Sequence, residues 1–366
     1  GGGHAHCGAM IYLGDNWPDH YRGRLFTLNL HGARVNQESL HPHDSSYVAK
    51  HGEDIFMAND DWFRGLSIKY GPDGGVYITD WHDFGECHDN DGSHRTSGRI
   101  YKMTYGKPPE VRIDIQTLGE EKLVQLLTHK NEWFVRHARR ILQERSSQQA
   151  QQGQAGKLIR ERLENGRLTE VQTLRYIWTL YGMGQLSEED LIRWSHHPLE
   201  TVRMWAVKLL FDQGQPNGFG ENGLESVVRL GLSGRMIEMA YGDPSPRVRL
   251  AIASVMQKMS LPNRWMLAET LVKHPSLLED EFLTLMVWYA IEPLVEDDRE
   301  RFLQLASATE NPLLQQFVMR RASEGNKPTL ADVITTIHDY EGERTYMLTG
   351  VLQALENDGL QPEPNS

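Results

Sequence analysis

Residues Tyr70 to Trp81 read YGPDGGVYITDW, and this stretch decides the fold of the first part of the chain. Pro72 presets φ, Asp73 offers an Asx acceptor, and Gly74 and Gly75 are free to take φ > 0. Both flanks, LSIKY and VYITDW, are β-rich, so the stretch reads as a tight β-hairpin. A second copy lies upstream. Ala9 to Gly14 (AMIYLG), a nine-residue connection and Arg24 to His31 (RLFTLNLH) superpose on Ser67 to Gly71 followed by Gly75 to His82. In that register Leu25 matches Val76, Phe26 matches Tyr77, Asn29 matches Asp80 and His31 matches His82, which predicts an internal β repeat.

Outward from the hairpins, residues 1–106 are β-rich throughout. Short extended pieces lie around 33–40 and 46–57, a loop rich in Gly, His and Asp covers 82–97, and a final strand GRIYKMTY covers 98–105. Two four-stranded units fit this pattern, the second lacking its last strand. That is a blade pattern, and propellers close with roughly four to eight blades. Lys107-Pro108-Pro109 breaks it, and from Leu118 the apolar period becomes helical. Helix pairs then recur, clearest from Leu123, Leu191 and Met236 and weaker from Leu271 and Phe302. Val135-Arg136, Val202-Arg203 and Val248-Arg249 occupy the same place in three of them and read as surface arginines. The expected organisation is multidomain, β then α. It comprises a partial β-propeller of about two blades (1–106), a linker (107–117), a HEAT-like α-solenoid (118–356) and a tail (357–366). SSQQAQQGQAG, from Ser146, interrupts the solenoid as a polar linker.

The chain has 366 residues, 39% of them hydrophobic and 24% charged, with a net charge of −12. Nucleic acid and anionic membrane surfaces demand clustered Lys and Arg, so neither is an expected partner. No apolar run approaches the roughly 18 to 20 residues of a membrane span. The chain opens on Gly1-Gly2-Gly3 with no initiator Met, and is expected to be cut from something longer.

Histidine concentrates in the β-rich part. Blade geometry places His4, His6, Cys7, His31, Arg64, Asp80, His82, Cys87 and His88 around one rim. Imidazole, thiolate and carboxylate together suit a ligand or metal site, with His4, His88, Asp89 and Asp91 as metal candidates. The competing reading is a set of polar loop residues paired with backbone. Asp89-Asn90-Asp91-Gly92-Ser93 has the look of a calcium loop and reads better as a plain turn. His196-His197 and His274-Pro275 read as inter-helix turns, and Trp194, Trp205 and Trp288 as packing.

These motifs carry a resemblance. AHCGAMIYLGDNWPDHYRGRLFTLNLHG resembles the penultimate blade of the glucose/sorbosone dehydrogenase family, six-bladed propellers that use pyrroloquinoline quinone, and FRGLSIKYGPDGGVYITDW with GRIYKMTY resembles their last. GGHAHCG, ANDDWFRG and DWHD, followed by a helical solenoid, are similar to planctomycete-type proteins called putative membrane-bound dehydrogenases or haem-binding domain proteins. The resemblance implies an exported, periplasmic or extracellular, dehydrogenase-like protein acting on sugars or other alcohols with the quinone and calcium in its complete form. It implies missing blades or a cytochrome domain as partners, and the absence of Cys-x-x-Cys-His predicts no haem on this chain. Carried over, the family's quinone-contacting lysine falls on His31 and the first of its two arginines on Arg64; the second falls on Leu66. The candidate cofactor-binding set is therefore Arg64, His31, His6 and His82, with no catalytic residue assigned. Export would expose Cys7 and Cys87 to an oxidising compartment, where a disulfide, two free thiols, or a metal shared with His6 and His88 are the alternatives. The rival function is a non-catalytic scaffold, its rim recognising a glycan and its solenoid a protein partner.

Overall fold

The computed structural model describes residues 5–84, 96–148, 153–212, 232–324 and 330–357. It forms two compact units: Gly1–His43 with Tyr47–Leu186, and Asp44–Ser46 with Ser187–Ser366. Antiparallel sheets come first in the chain and helices follow.

The first sheet is a meander of β1 (His6–Ile11), β2 (Leu25–Asn29), β3 (Arg34–His43) and β4 (Ser46–His51), with β5 (Phe56–Met57) added on β3. The second is a three-stranded meander of β6 (Gly65–Tyr70), β7 (Val76–Asp80) and β8 (Arg99–Met103). The Pro72–Gly75 turn forms as its residues dictate. Gly71 N–H donates to Gly75 O at 2.8 Å, Asp73 Oδ1 accepts from Gly75 N–H at 3.1 Å, and Gly74 takes φ 73°.

The two hairpins share a further feature: each first strand is bulged, between Cys7 and Ala9 and between Gly65 and Ser67. The repeat register expected from the sequence is nevertheless off by one residue. Phe26 is 0% exposed and its supposed match Tyr77 36%, because Phe26 and Leu28 face the core as Val76 and Ile78 do. The slip ends at the strand ends: Asn29 and Asp80, matched in the expected register, are both buried, at 1% and 4% exposed.

Tyr12, Trp17, Phe26, Leu28, Val35, Phe63, Ile68, Tyr70, Val76 and Ile78 form one core that runs through both sheets. Gly8, at φ 60°, lies so near the second sheet that a Cβ would sit 2.6 Å from Leu66 O. Buried Tyr12 donates its hydroxyl to Gly74 O at 2.9 Å and accepts from the N–H groups of Asn16 and Trp17 at 3.0 and 2.8 Å.

Four helices complete this unit: α1 (Glu120–Leu126), α2 (Glu132–Gln148), α3 (Ala155–Asn165) and α4 (Glu170–Gly182). Buried Asn131 joins them to the sheets, donating to Asp15 Oδ1, Gly71 O and Pro72 O at 3.0 to 3.1 Å. The turn between α1 and α2 thus sits against the turn between β6 and β7.

The second unit holds α5 (Glu188–Trp194), α6 (Glu200–Leu210), α7 (Leu232–Gly242), α8 (Pro246–Met256), α9 (Leu261–Leu271), α10 (Glu281–Ile291), α11 (Arg299–Ala308), α12 (Pro312–Ser323), α13 (Leu330–Asp339) and α14 (Thr345–Asn357). They stack in two rows, α6-α8-α10-α12-α14 and α7-α9-α11-α13. One device recurs between paired helices along the chain: a side-chain acceptor takes the N–H two residues on. It is His129 for Asn131, His197 for Leu199, Asp243 for Ser245, His274 for Ser276 and Thr309 for Asn311, all at 2.9 to 3.2 Å. Each satisfies a backbone donor at a helix start that helix geometry leaves unpaired.

Two of the three Val-Arg pairs are not at the surface. Arg203 and Arg249 are 8% and 7% exposed, whereas Arg136 is exposed. Arg203 forks onto Asp243, Nε to Oδ2 at 2.7 Å and Nη2 to Oδ1 at 2.8 Å, and its Nη1 donates to the carbonyls of His197 and Pro198. Arg249 donates to the carbonyl of Asp243. The guanidinium reaches inward because each turn leaves carbonyls facing the next helix pair, and a planar fork matches them.

Candidate functional site

The expected rim resolves into two polar clusters, one at the end of each sheet. In the first, His6 pairs opposite Asn29 across β1 and β2. His6 Nε2 lies 3.2 Å from Asn36 Oδ1, and Asn36 Oδ1 accepts from Asn29 Nδ2 at 3.1 Å. Asn36 Nδ2 donates to Asp54 Oδ1 at 2.7 Å, and Arg34 Nε stands 3.4 Å from Asp54 Oδ2. Buried Asn29 also accepts the N–H of Gly32 at 2.8 Å, which shapes the turn that carries His31.

The second cluster is centred on Asp80, whose side chain is wholly buried. It sits opposite Gly65, where a side chain would collide with the Phe63 ring and Leu28. Asp80 Oδ1 accepts the N–H groups of Arg64 and His82 at 2.8 and 2.9 Å, and Oδ2 accepts Nε and Nη2 of Arg99 at 2.9 and 2.7 Å. Arg99 Nη2 also reaches Asp60 Oδ2 at 2.8 Å, and His82 Nε2 lies 3.7 Å from the same oxygen. Arg99 and the Trp62 N–H hold the Asp60 carboxyl below the usual carboxylate range. Burial pulls the Arg99 guanidinium down, but its two carboxylate bonds outweigh that and raise it.

Arg64 donates Nη1 to the carbonyls of Asp61 and Phe63 at 2.7 and 2.9 Å and Nη2 to the carbonyl of Phe84 at 2.9 Å. It therefore clamps the backbone on both sides of Trp62 to that of Phe84. The rings follow: Trp62 lies 5.6 Å from His82 and 5.9 Å from Phe84 between centroids. Asn59 and His82 both adopt φ > 0, at 49° and 57°, conformations that surrounding bonds must enforce in residues other than glycine.

The structure thus brings Arg64, Asp80 and His82 together and sets His6 in the neighbouring cluster. Cys7 Sγ donates to Leu66 O at 3.3 Å where the clusters abut. The positions His4, Cys87, His88, Asp89 and Asp91 lie outside the described residues, and so does one end of the Cys7–Cys87 pairing. Among the described residues no three His, Cys, Asp or Glu side chains are grouped to hold a metal ion.

As placed, these side chains do not fit a quinone that bears carboxylates. Both Nη1 donors and one Nη2 donor of Arg64 already serve backbone carbonyls, and its unpartnered Nε is buried away from any ligand, while Asp60 and Asp80 add negative charge beside it. Asp60 and Arg99 escaped the reading of the sequence. A buried Asp80 requires a cation, and Arg99, at the start of the last strand, was the signal available.

Residues 2–107 match a family described as a domain of unknown function, DUF7133. No curated protein matches the chain.

Proposed function

We propose that this chain is the scaffold part of an exported, dehydrogenase-like propeller protein: two successive blades followed by HEAT-like helix pairs. The observation that carries this is the pair of bulged meanders sharing one core, with Gly8 of one first strand against Leu66 of the other. The two helical rows, with a side-chain acceptor in the turns that precede α6, α8, α10 and α12, support the solenoid reading. Oxidation of sugars or other alcohols, with quinone and calcium, would belong to the complete protein, and the missing blades or a cytochrome domain would be its partners.

Within that reading the rim of this chain acts as structure and binding surface rather than as cofactor holder. The commitment of Arg64 to three carbonyls, with its unpartnered Nε buried, favours it, since a fork for an anionic ligand needs accessible donors. The test is dye-linked dehydrogenase activity of the purified chain, supplied with pyrroloquinoline quinone, calcium and a panel of sugars and alcohols. No turnover is expected. Quinone-dependent turnover that survives purification and is lost in Arg64→Ala would overturn the scaffold reading.

A further inference from the structure

The helical unit carries a groove with a different chemistry, independent of the propeller reading. A cavity of about 310 Å³ opens between the turn before α10, the start of α12 and the start of α14. Its floor is Leu277, Thr284 and Asn311, all buried. Their polar atoms satisfy one another: Thr284 Oγ1 donates to Leu277 O at 2.8 Å, and Asn311 Nδ2 donates to the same carbonyl while its Oδ1 caps Leu314 N–H at 2.9 Å. The floor therefore asks nothing of a ligand.

The walls are apolar and open. Leu278 is 52% exposed and Tyr346 40%, with Pro312 and Leu313 between them. Tyr346 is held there by the packing of α14 on α12, which is close enough that a Cβ on Gly350 would collide with Gln316 O. At the mouth stand the exposed carboxylates Glu279 and Glu281. Several other carboxylates of this unit are matched, Glu269 by Arg301, Glu292 by Arg321 and Glu200 by Arg247. Among the described residues Glu279 and Glu281 have no cation within salt-bridge reach, and no Lys or Arg lines the groove.

From this we infer that the groove docks a short segment of a partner protein in which a lysine or arginine stands beside a large apolar residue. The apolar side chain would fill the space between Leu278 and Tyr346, and the cation would meet Glu279 and Glu281 at the mouth. Removing apolar surface from water supplies attraction, and the two unmatched carboxylates supply selectivity against acidic or neutral sequences.

The probe is a random heptapeptide library displayed on phage, selected on the immobilised intact chain and, in parallel, on Glu279→Gln/Glu281→Gln and on Tyr346→Ser. Expected is enrichment of sequences that pair Lys or Arg with Leu, Met or an aromatic, with at least tenfold weaker binding of the enriched peptides to each variant in fluorescence anisotropy. Thermal unfolding of the variants should match that of the parent, since all three side chains are exposed. No enrichment over the variants, or enrichment of acidic peptides, overturns the inference. Equal binding by the double glutamine variant does so too, by removing the carboxylates from recognition.

Discussion

Arg99 and Asp80 share two hydrogen bonds across the β7–β8 pair, and the other oxygen of the same carboxylate holds the N–H groups of Arg64 and His82. One buried side chain thus fixes the last strand and the loop that carries Trp62. Asp80→Ala should lower stability by about 3 kcal/mol, since it strands two backbone donors and leaves the partly buried Arg99 guanidinium with Asp60 as its remaining carboxylate partner. Asp80→Asn, which keeps acceptors for the backbone donors, should lose less. Urea unfolding of both variants checks the order; equal losses would mean the backbone bonds carry nothing.

Glycine is required at Gly8 for two reasons, and at Gly23 for one. Both have φ > 0, at 60° and 80°, but a Cβ at Gly8 would also meet Leu66 O at 2.6 Å, whereas nothing lies within 4 Å of one at Gly23. Gly23→Ala should therefore cost about 1 to 2 kcal/mol, the left-handed penalty alone. Gly8→Ala should cost clearly more, because backbone must move as well. A comparison of the two melting temperatures decides it, and equal shifts would deny the close approach of the two sheets.

The Arg203–Asp243 fork is buried on both sides, with side chains 10% and 3% exposed. Arg203→Met should cost about 3 to 5 kcal/mol, because it leaves the Asp243 carboxylate buried without its fork. Arg136→Met, at the matching position but exposed, should be nearly neutral. Chemical denaturation of the two variants would separate the buried arginine from the surface one.

The hairpin at 70–81 was legible because its turn chemistry is local: Pro72, Asp73 and Gly74 each fix a torsion or a bond within the turn itself. The switch from strands to helices at Pro108-Pro109 was legible for the same reason. The repeat register was not, because the connections from β1 to β2 and from β6 to β7 differ in length, and nothing in composition marks on which pleat parity each second strand enters. The arginines Arg203 and Arg249 were read as surface because charge favours exposure; only tertiary structure supplies the Asp243 carboxylate and carbonyl that pull them in. For Arg64 the residue type pointed to anion binding, but the same fork suits backbone carbonyls, and nothing in the sequence states which acceptors stand nearby.

The turn histidines make a pH prediction whose sign can be worked out. His197 and His274 are pushed below the ordinary imidazole range, first by burial and then by the positive charge of Arg203 and Arg249 respectively; a bond with the Tyr241 backbone partly opposes this at His274. Both accept a backbone N–H through Nδ1, which requires the neutral ring. The folded state therefore binds these protons less readily than the unfolded chain, whose histidines titrate near about 6.5. Stability from this source is fully present above that value and is lost as pH falls through the lower folded value. Asparagine does not titrate, and its Oδ1 can take these N–H groups from the position in which Asp243 Oδ1 takes that of Ser245. His197→Asn/His274→Asn should thus lose less melting temperature than the parent between pH 7 and pH 5, while the two proteins run parallel between pH 7 and pH 8. Profiles that stay parallel down to pH 5 would remove both histidines from the acid response and leave it to the carboxylates.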